Sequence, residues 1–159
     1  MNLRSLLTGT GVAIITPFDK NEAADYAALG KLIHYIINGG VEYIETLGTT
    51  GETPVLSKEE KLGIIRFTME EVNQRVPVVV GIGGNDTRSV VKDLESYPLD
   101  GAVAVLSASP YYNKPSQEGL FEHYRTLAAA SPKPIILYNV PGRTGRNMTA
   151  RTTIRLASE

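Results

Sequence analysis

Short apolar runs, rich in β-branched residues, alternate along the chain with segments that carry apolar residues at helical spacing. The apolar runs are residues 11–16, 41–47, 77–82, 101–107 and 134–138. Uninterrupted apolar runs of this length are typical of strands buried on both faces of a parallel sheet. A segment with helical periodicity follows each run, so the pattern predicts five consecutive β/α units.

The segment boundaries support this prediction. Ser57 and Glu60 form the pattern of a capping box at a helix start, and Asn-Gly-Gly at 38–40 suits a helix end. Alternating strands and helices predict a parallel sheet with right-handed crossovers, either open and doubly wound or closed as an eight-unit barrel. A barrel typically needs ~250 residues. The 159 residues of this chain therefore favour, by length alone, an open five-stranded sheet.

Composition narrows the class of partner. The formal net charge is −1, which gives no electrostatic reason to expect a nucleic acid or an anionic membrane as partner. The chain contains no cysteine, which excludes thiol nucleophiles and cysteine-ligated metals. No apolar run approaches the ~20 residues of a membrane span. We therefore expect a cytoplasmic protein that acts on small molecules.

Polar side chains are concentrated in the loops that follow the predicted strands. These loops are residues 48–52, 109–115 and 138–145. In both candidate architectures, ligands bind at the carboxyl ends of the strands. We therefore expect the hydroxyls, phenols and guanidinium of these loops to lie on one rim.

Each of these groups has a structural as well as a functional interpretation. Residues 48–52 suit a simple turn, or a cradle of backbone amides and threonine hydroxyls for a carboxylate or phosphate. Tyr111, Tyr112 and Tyr138 suit core or interface filling, or proton transfer. Arg143 suits a solvated charge, or a fork for a substrate carboxylate.

Other motifs predict little chemistry. The Gly-Ile-Gly-Gly-Asn-Asp segment at 81–86 lacks the third glycine of a dinucleotide fingerprint and suits a turn with a helix cap. His34 and His123 fall within predicted helices, where we expect surface or packing roles. No cluster has metal-ligand spacing and no Gly-x-Ser-x-Gly elbow is present, so we expect no metal site and no serine hydrolase.

Taken together, the loop motifs resemble those of the dihydrodipicolinate synthase family. The resemblance is carried by Gly-Thr-Thr-Gly-Glu at 48–52, Pro-Tyr-Tyr-Asn-Lys-Pro-Ser-Gln-Glu-Gly at 110–119, Tyr-Asn-Val-Pro-Gly-Arg-Thr-Gly at 138–145, and the opening segment 9–18. It implies an α/β fold of the (β/α)8 TIM barrel class. Residues 1–159 would then be the N-terminal part of a single barrel domain, covering five β/α units and lacking the later units and a C-terminal helical extension. The resemblance therefore favours a barrel over the open five-stranded sheet that length alone favours.

The resemblance also implies an activity and a set of roles. The family condenses pyruvate with L-aspartate 4-semialdehyde in lysine biosynthesis, through a lysine Schiff base and without a cofactor, usually as a homotetramer. Thr49 matches the central hydroxyl of a Tyr–Thr–Tyr proton relay, Tyr138 the phenol beside the Schiff base, and Tyr112 the phenol inserted into a neighbouring subunit. Thr50 matches the binder of the pyruvate carboxylate. Arg143 matches the arginine that holds the carboxylate of the aldehyde substrate.

Two departures from the family pattern matter. The family's Schiff-base lysine follows the sixth strand, which lies just beyond Glu159, so we expect the isolated chain to be inactive. Of the seven lysines present, Lys114 alone is predicted at the correct rim, in a polar loop that would not desolvate it as a Schiff-base lysine requires. In addition, Lys58, Lys61 and Ser89 stand where lysine-inhibited relatives carry ligands for the inhibitor, which predicts weak feedback inhibition.

Two alternatives remain. One is an N-acetylneuraminate lyase or another keto-acid aldolase of the same superfamily, which the paired Tyr111 and Tyr112 and the Arg-Thr-Gly at 143–145 disfavour. The other belongs to a different class: a non-catalytic α/β module that binds a small anion or serves as a scaffold.

Overall fold

The structure, a computed structural model, describes residues 2–158. Within that range the strands are β1 (Gly11–Ala13), β2 (Tyr43–Thr46), β3 (Val78–Gly81), β4 (Ala104–Ala108) and β5 (Ile135–Tyr138). The helices are α1 (Leu3–Leu6), α2 (Tyr26–Asn38), α3 (Lys58–Val72), α4 (Thr87–Ser96), α5 (Gln117–Ala130), α6 (Pro141–Thr144) and α7 (Ala150–Ser158), with 3-10 turns at Thr49–Gly51 and Thr53–Val55. The five predicted strands and the helices between them are confirmed.

The chain divides into two compact units, of which the first comprises the residues up to Gly81 and Tyr97–Ala104. In this unit β2 pairs in parallel with β1 on one side and with β3 on the other. Ile44 is opposite Val12 of β1 and Val78 of β3. Helices α2 and α3 pack together beside these strands. The largest fully buried aliphatic side chains of the unit are Leu29, Ile33, Ile44, Ile64, Ile65, Val72 and Val80.

Local capping explains where α2 and α3 begin and end. Ser57 accepts a hydrogen bond from the Glu60 amide, and the Glu60 carboxylate accepts one from the Ser57 amide at 2.8 Å, so the predicted capping box is confirmed. The hydrogen bond that the Ser57 amide donates to the carboxylate lowers the pKa of Glu60. Asp25 caps α2 in the same manner, accepting from Ala28, and α2 ends at Asn38 as the Asn-Gly-Gly segment predicts.

The second unit comprises Ile82–Ser96 and the chain from Val105 onward. Its strands β4 and β5 are parallel, and Ala108 is opposite Tyr138 at their carboxyl ends. Helix α5 packs on α4 and α7 and contributes the buried Phe121, Tyr124 and Leu127. Ser116 caps α5 by accepting from the Gly119 amide at 3.1 Å. Both strands of this unit thus end next to loops that the sequence singled out.

The structure adds one helical turn that the sequence analysis did not predict within the long loop after β5. Pro141 occupies the first turn of α6, and Gly145 ends it with φ of 68°. Proline at the start and glycine just past the end are the usual signals of a helix, here compressed into a single turn. As a result, Arg143 lies on a helical turn instead of an extended loop. No helix within residues 2–158 is long and apolar enough to cross a membrane.

Candidate active-site residues

Residues 48–52 form a tight turn at the carboxyl end of β2. The Gly51 amide donates to the Gly48 carbonyl at 3.1 Å, and Glu52 ends the turn in the left-handed region with φ of 54°. The Thr53 hydroxyl donates to the Leu47 carbonyl at 2.6 Å. Other hydroxyls and amides therefore complete this turn, and the side chains of Thr49 and Thr50 are not used to build it.

Thr49 and Thr50 are both exposed. Within residues 2–158 neither hydroxyl forms a hydrogen bond, whereas the buried Thr16 hydroxyl donates to the Gly51 carbonyl at 2.7 Å. The interpretation of residues 48–52 as a simple turn required these threonines to satisfy backbone amides, and they do not. Their hydroxyls are exposed and accessible, and the cradle interpretation stays a prediction.

The loop after β4 places its two tyrosines in solvent. Tyr112 is 86% exposed and Tyr111 is 40% exposed. Tyr112 has φ of 68° and Lys114 has φ of 49°, so both adopt the left-handed conformation that non-glycine residues rarely adopt. A tyrosine used for core filling would be buried, so this loop is not part of the hydrophobic core.

Tyr138 and Arg143 follow one another at the end of β5. Tyr138 is the last residue of the strand and is half-buried, whereas Arg143 on α6 is exposed. Among the described residues, neither the Tyr138 phenol nor the Arg143 guanidinium forms a hydrogen bond. The polar groups of Tyr112, Tyr138 and Arg143 are thus unused by the described part of the second unit.

A carboxyl group missed by the sequence analysis lies beside the Thr49 turn. Glu45 of β2 is half-buried, and burial raises the pKa of its carboxyl. The carboxyl packs so closely on Gly48 that a Cβ at that position would overlap it. A carboxyl group with a raised pKa beside this turn can accept or donate a proton. The only signal in the sequence was a charged residue inside an apolar run.

A hydrogen-bond network in the second unit was also missed. Asn139 accepts from the Met148 amide at 3.0 Å and donates to Asn147 at 2.8 Å. Gln117 donates to the Asn147 carbonyl at 2.8 Å and accepts from the Thr152 hydroxyl at 2.6 Å. The network ties the start of α5 to the segment after α6. Asn139 and Gln117 lie within the quoted motifs, but the contacts that join them to residues 147–152 cannot be identified from sequence spacing.

The two histidines lie on helices, away from these loops in sequence. His34 is exposed and contacts Glu71 at 2.8 Å. His123 is only 4% exposed, and its Nδ1 lies 2.7 Å from the Thr87 hydroxyl. This burial indicates a packing role, and it lowers the pKa of His123 to about 4. No group of three or more potential ligands that could hold a metal ion is found within residues 2–158.

Five β/α units with polar groups at the carboxyl ends of the strands define an α/β protein of the class that binds ligands at those ends, in open sheets and in barrels alike. Comparison with known proteins agrees. Residues 6–159 match the Dihydrodipicolinate synthetase family. A 4-hydroxy-tetrahydrodipicolinate synthase of Parabacteroides distasonis is 56% identical over 153 residues, which are 96% of this chain and 52% of that protein.

Solved structures give the same result. The dihydrodipicolinate synthase of Thermotoga maritima matches with a TM-score of 0.92 and 40% identity, covering 97% of this chain and 52% of that one. The enzyme of Acinetobacter baumannii, solved in complex with pyruvate, matches with a TM-score of 0.90 and 44% identity, covering 94% of this chain and 51% of that one.

The chain therefore belongs to the dihydrodipicolinate synthetase family, a family of lyases. It spans about half the length of the curated relatives it matches. The (β/α)8 fold class that the loop motifs implied is confirmed, with this chain supplying five β/α units of an incomplete barrel. The open sheet preferred by length alone is wrong, because length here measures a part of the fold and not the whole.

Proposed function

We propose that the chain is the N-terminal portion of a 4-hydroxy-tetrahydrodipicolinate synthase, which condenses pyruvate with L-aspartate 4-semialdehyde through a lysine Schiff base. The observation that carries this proposal is the 56% identity to the Parabacteroides distasonis synthase, which extends over 96% of the chain. The lysine that forms the Schiff base lies beyond residue 159, and the chain alone is inactive. The complete enzyme works without a cofactor or metal, in the cytoplasm, as a homotetramer.

Within this proposal, the Thr49 turn handles protons and the pyruvate carboxylate. Imine formation and carbon–carbon bond formation both require proton transfer, and a hydroxyl between two phenols passes a proton without acquiring a formal charge. Thr49 is the central hydroxyl of this relay, and Thr50 with its neighbouring amides binds the carboxylate. The exposed hydroxyls of Thr49 and Thr50, unused by the turn that carries them, support both roles.

In this proposal the second unit supplies two tyrosine phenols and the guanidinium of Arg143. Tyr138 stands beside the Schiff base, and Tyr112 completes the relay in a neighbouring subunit. The 86% exposure of Tyr112 supports a role outside its own subunit, because such a large aromatic surface in solvent gains stability when it is covered. Arg143 binds the carboxylate of the aldehyde, as its exposed and unpaired guanidinium permits.

Product analysis with the complete polypeptide tests the proposal. Pyruvate is offered with aspartate semialdehyde or with N-acetylmannosamine, and we expect condensation with the semialdehyde. Product from N-acetylmannosamine alone would instead identify a neuraminate lyase, and product from neither would favour a non-catalytic module.

The roles of individual residues are tested by substitution. Removal of a proton-transfer group typically costs 10²–10⁴-fold in rate, so we expect Thr49→Val to lower kcat by about that factor and Thr49→Ser to restore much of it. The matched control is Thr153→Val, which removes an exposed hydroxyl on α7. Wild-type turnover in Thr49→Val would contradict the relay.

A further inference from the structure

The loop after β4 holds Tyr112 in a strained backbone conformation. Tyr112 has φ of 68°, and the Asn113 amide donates to the Tyr111 carbonyl at 2.8 Å, which makes Tyr112 the central residue of a γ-turn. A γ-turn with positive φ at its centre is rare and strained. Strain of this kind persists only where the surrounding structure holds it, so the contacts that hold the two ends of this loop matter.

The first end of the loop is fixed by Tyr124 of α5. The phenol of Tyr124, which is 2% exposed, donates to the Ser107 carbonyl at 2.9 Å and lies 3.3 Å from the Ser109 hydroxyl. Ser107 belongs to β4, and the fully buried Ser109 begins the loop. A buried helix residue thus anchors the point where the chain leaves the strand.

The other end of the loop is held by Arg146. The Arg146 side chain donates from Nε to the Pro115 carbonyl at 2.6 Å. The backbone of Arg146 is itself fixed, because the buried Thr144 hydroxyl donates to its carbonyl at 2.9 Å and accepts from its amide at 3.3 Å. The guanidinium therefore reaches Pro115 from a rigid base.

A second connection next to this contact does not involve the Arg146 side chain. Gln117 donates to the Asn147 carbonyl at 2.8 Å and accepts from the Thr149 amide at 3.0 Å, which connects the start of α5 to the segment after α6. If the Arg146 side chain is removed, this connection remains. Removing the Arg146 side chain then breaks only its hydrogen bond to Pro115, at the end of the loop that carries Tyr112.

We propose that Arg146, with Tyr124 at the opposite end, is a positioning residue that keeps the Tyr112 γ-turn in its strained, outward conformation. Arg146 acts on the reaction only through Tyr112. This effect on the reaction rests on the proposed function, whereas the claim that Arg146 supports the turn does not. Without the hydrogen bond from Arg146 to the Pro115 carbonyl, the turn relaxes and the Tyr112 phenol no longer has one fixed position.

Limited proteolysis of the complete polypeptide tests the support of the turn. Chymotrypsin cleaves after tyrosine when the local backbone opens, and intact mass identifies cleavage after Tyr112. Loss of one charge-assisted hydrogen bond corresponds to about a tenfold change, so we expect Arg146→Ala to be cleaved about tenfold faster with an unchanged Tm. Arg146→Lys should fall between that variant and the wild type. Arg151→Ala, which removes an exposed arginine of α7, should match the wild type.

Tyr124→Phe gives the corresponding test of the other anchor. We expect faster cleavage after Tyr112, with the exposed Tyr35→Phe as the matched control. A wild-type cleavage rate in Arg146→Ala would overturn the proposal. A lowered Tm in that variant would overturn it as well, because Arg146 would then support the fold in general and not the turn.

Kinetics test the consequence for catalysis through a double-mutant cycle. We expect Arg146→Ala to lower kcat without raising KM for pyruvate, and to cause no further loss when combined with Tyr112→Phe. Equal losses in both backgrounds would show that Arg146 does not act through Tyr112. If Tyr112→Phe alone leaves kcat unchanged, the proposed role of Tyr112 fails, and the proteolysis result still decides whether Arg146 supports the turn.

Discussion

Acidification should weaken the packing of α5 through the buried His123. The side chain is 4% exposed, its Nδ1 lies 2.7 Å from the Thr87 hydroxyl, and its Nε2 has no hydrogen-bond partner within residues 2–158. A second proton would create a buried charge with one N–H unsatisfied. Burial accordingly lowers the pKa of His123 from 6.5 to about 4.

The sign and size of the effect follow from proton linkage. Because the folded-state pKa lies below the unfolded-state value, the unfolded chain takes up the proton first as the pH falls. The contribution of His123 is therefore fully present above about pH 6.5 and is lost between there and about pH 4. The difference between 6.5 and about 4, at 1.36 kcal/mol per pKa unit, amounts to about 3 kcal/mol.

Urea unfolding of the complete polypeptide between pH 7 and pH 4 measures this contribution. We expect the free energy of unfolding of the wild type to fall by about 3 kcal/mol more than that of His123→Gln over this range. The matched control is His34→Gln, which alters the exposed histidine and should retain the excess loss. Parallel pH profiles for the wild type and His123→Gln would refute the reasoning.

Three further predictions concern stability and regulation. Ser57→Ala removes the cap of α3 and should cost about 1 kcal/mol in unfolding free energy, against no loss for the exposed Ser96→Ala; equal values would contradict the capping role. Gly81→Ala should destabilise by about 3 kcal/mol or more, because the new Cβ would overlap the Leu47 carbonyl, whereas Gly142→Ala meets nothing within 4 Å and should be tolerated. The family resemblance implies that Lys58 and Lys61 stand where relatives bind the inhibitor lysine, and their ammonium groups would repel it, so millimolar lysine should leave the activity of the complete enzyme nearly unchanged; marked inhibition in a standard assay would refute this.

Local patterns predicted most of the fold. The capping box at Ser57, the Asn-Gly-Gly stop after α2 and the five apolar runs each correspond to an observed element boundary or strand. These features depend on residues a few positions apart, so their physics is visible in the sequence. The one-turn helix α6 was missed because its proline and glycine signals were read as a loop.

The candidate site was predictable in part. Thr49, Tyr112 and Arg143 were identified from their loops, and the structure gives them exposed side chains. Their roles come from the family resemblance and remain a proposal. Arg146 and Glu45 were missed for a different reason: the importance of each depends on a contact or a burial that only the folded chain creates. The Arg146–Pro115 contact spans 31 positions.

Trapping the Schiff base tests the central claim most directly. The complete polypeptide and the 159-residue chain are each treated with pyruvate and borohydride, and the modified lysine is located by peptide mass. We predict one adduct in the complete polypeptide, on a lysine beyond residue 159, and none in the chain alone. An adduct on Lys114, or on any other of the seven lysines present here, would contradict the account.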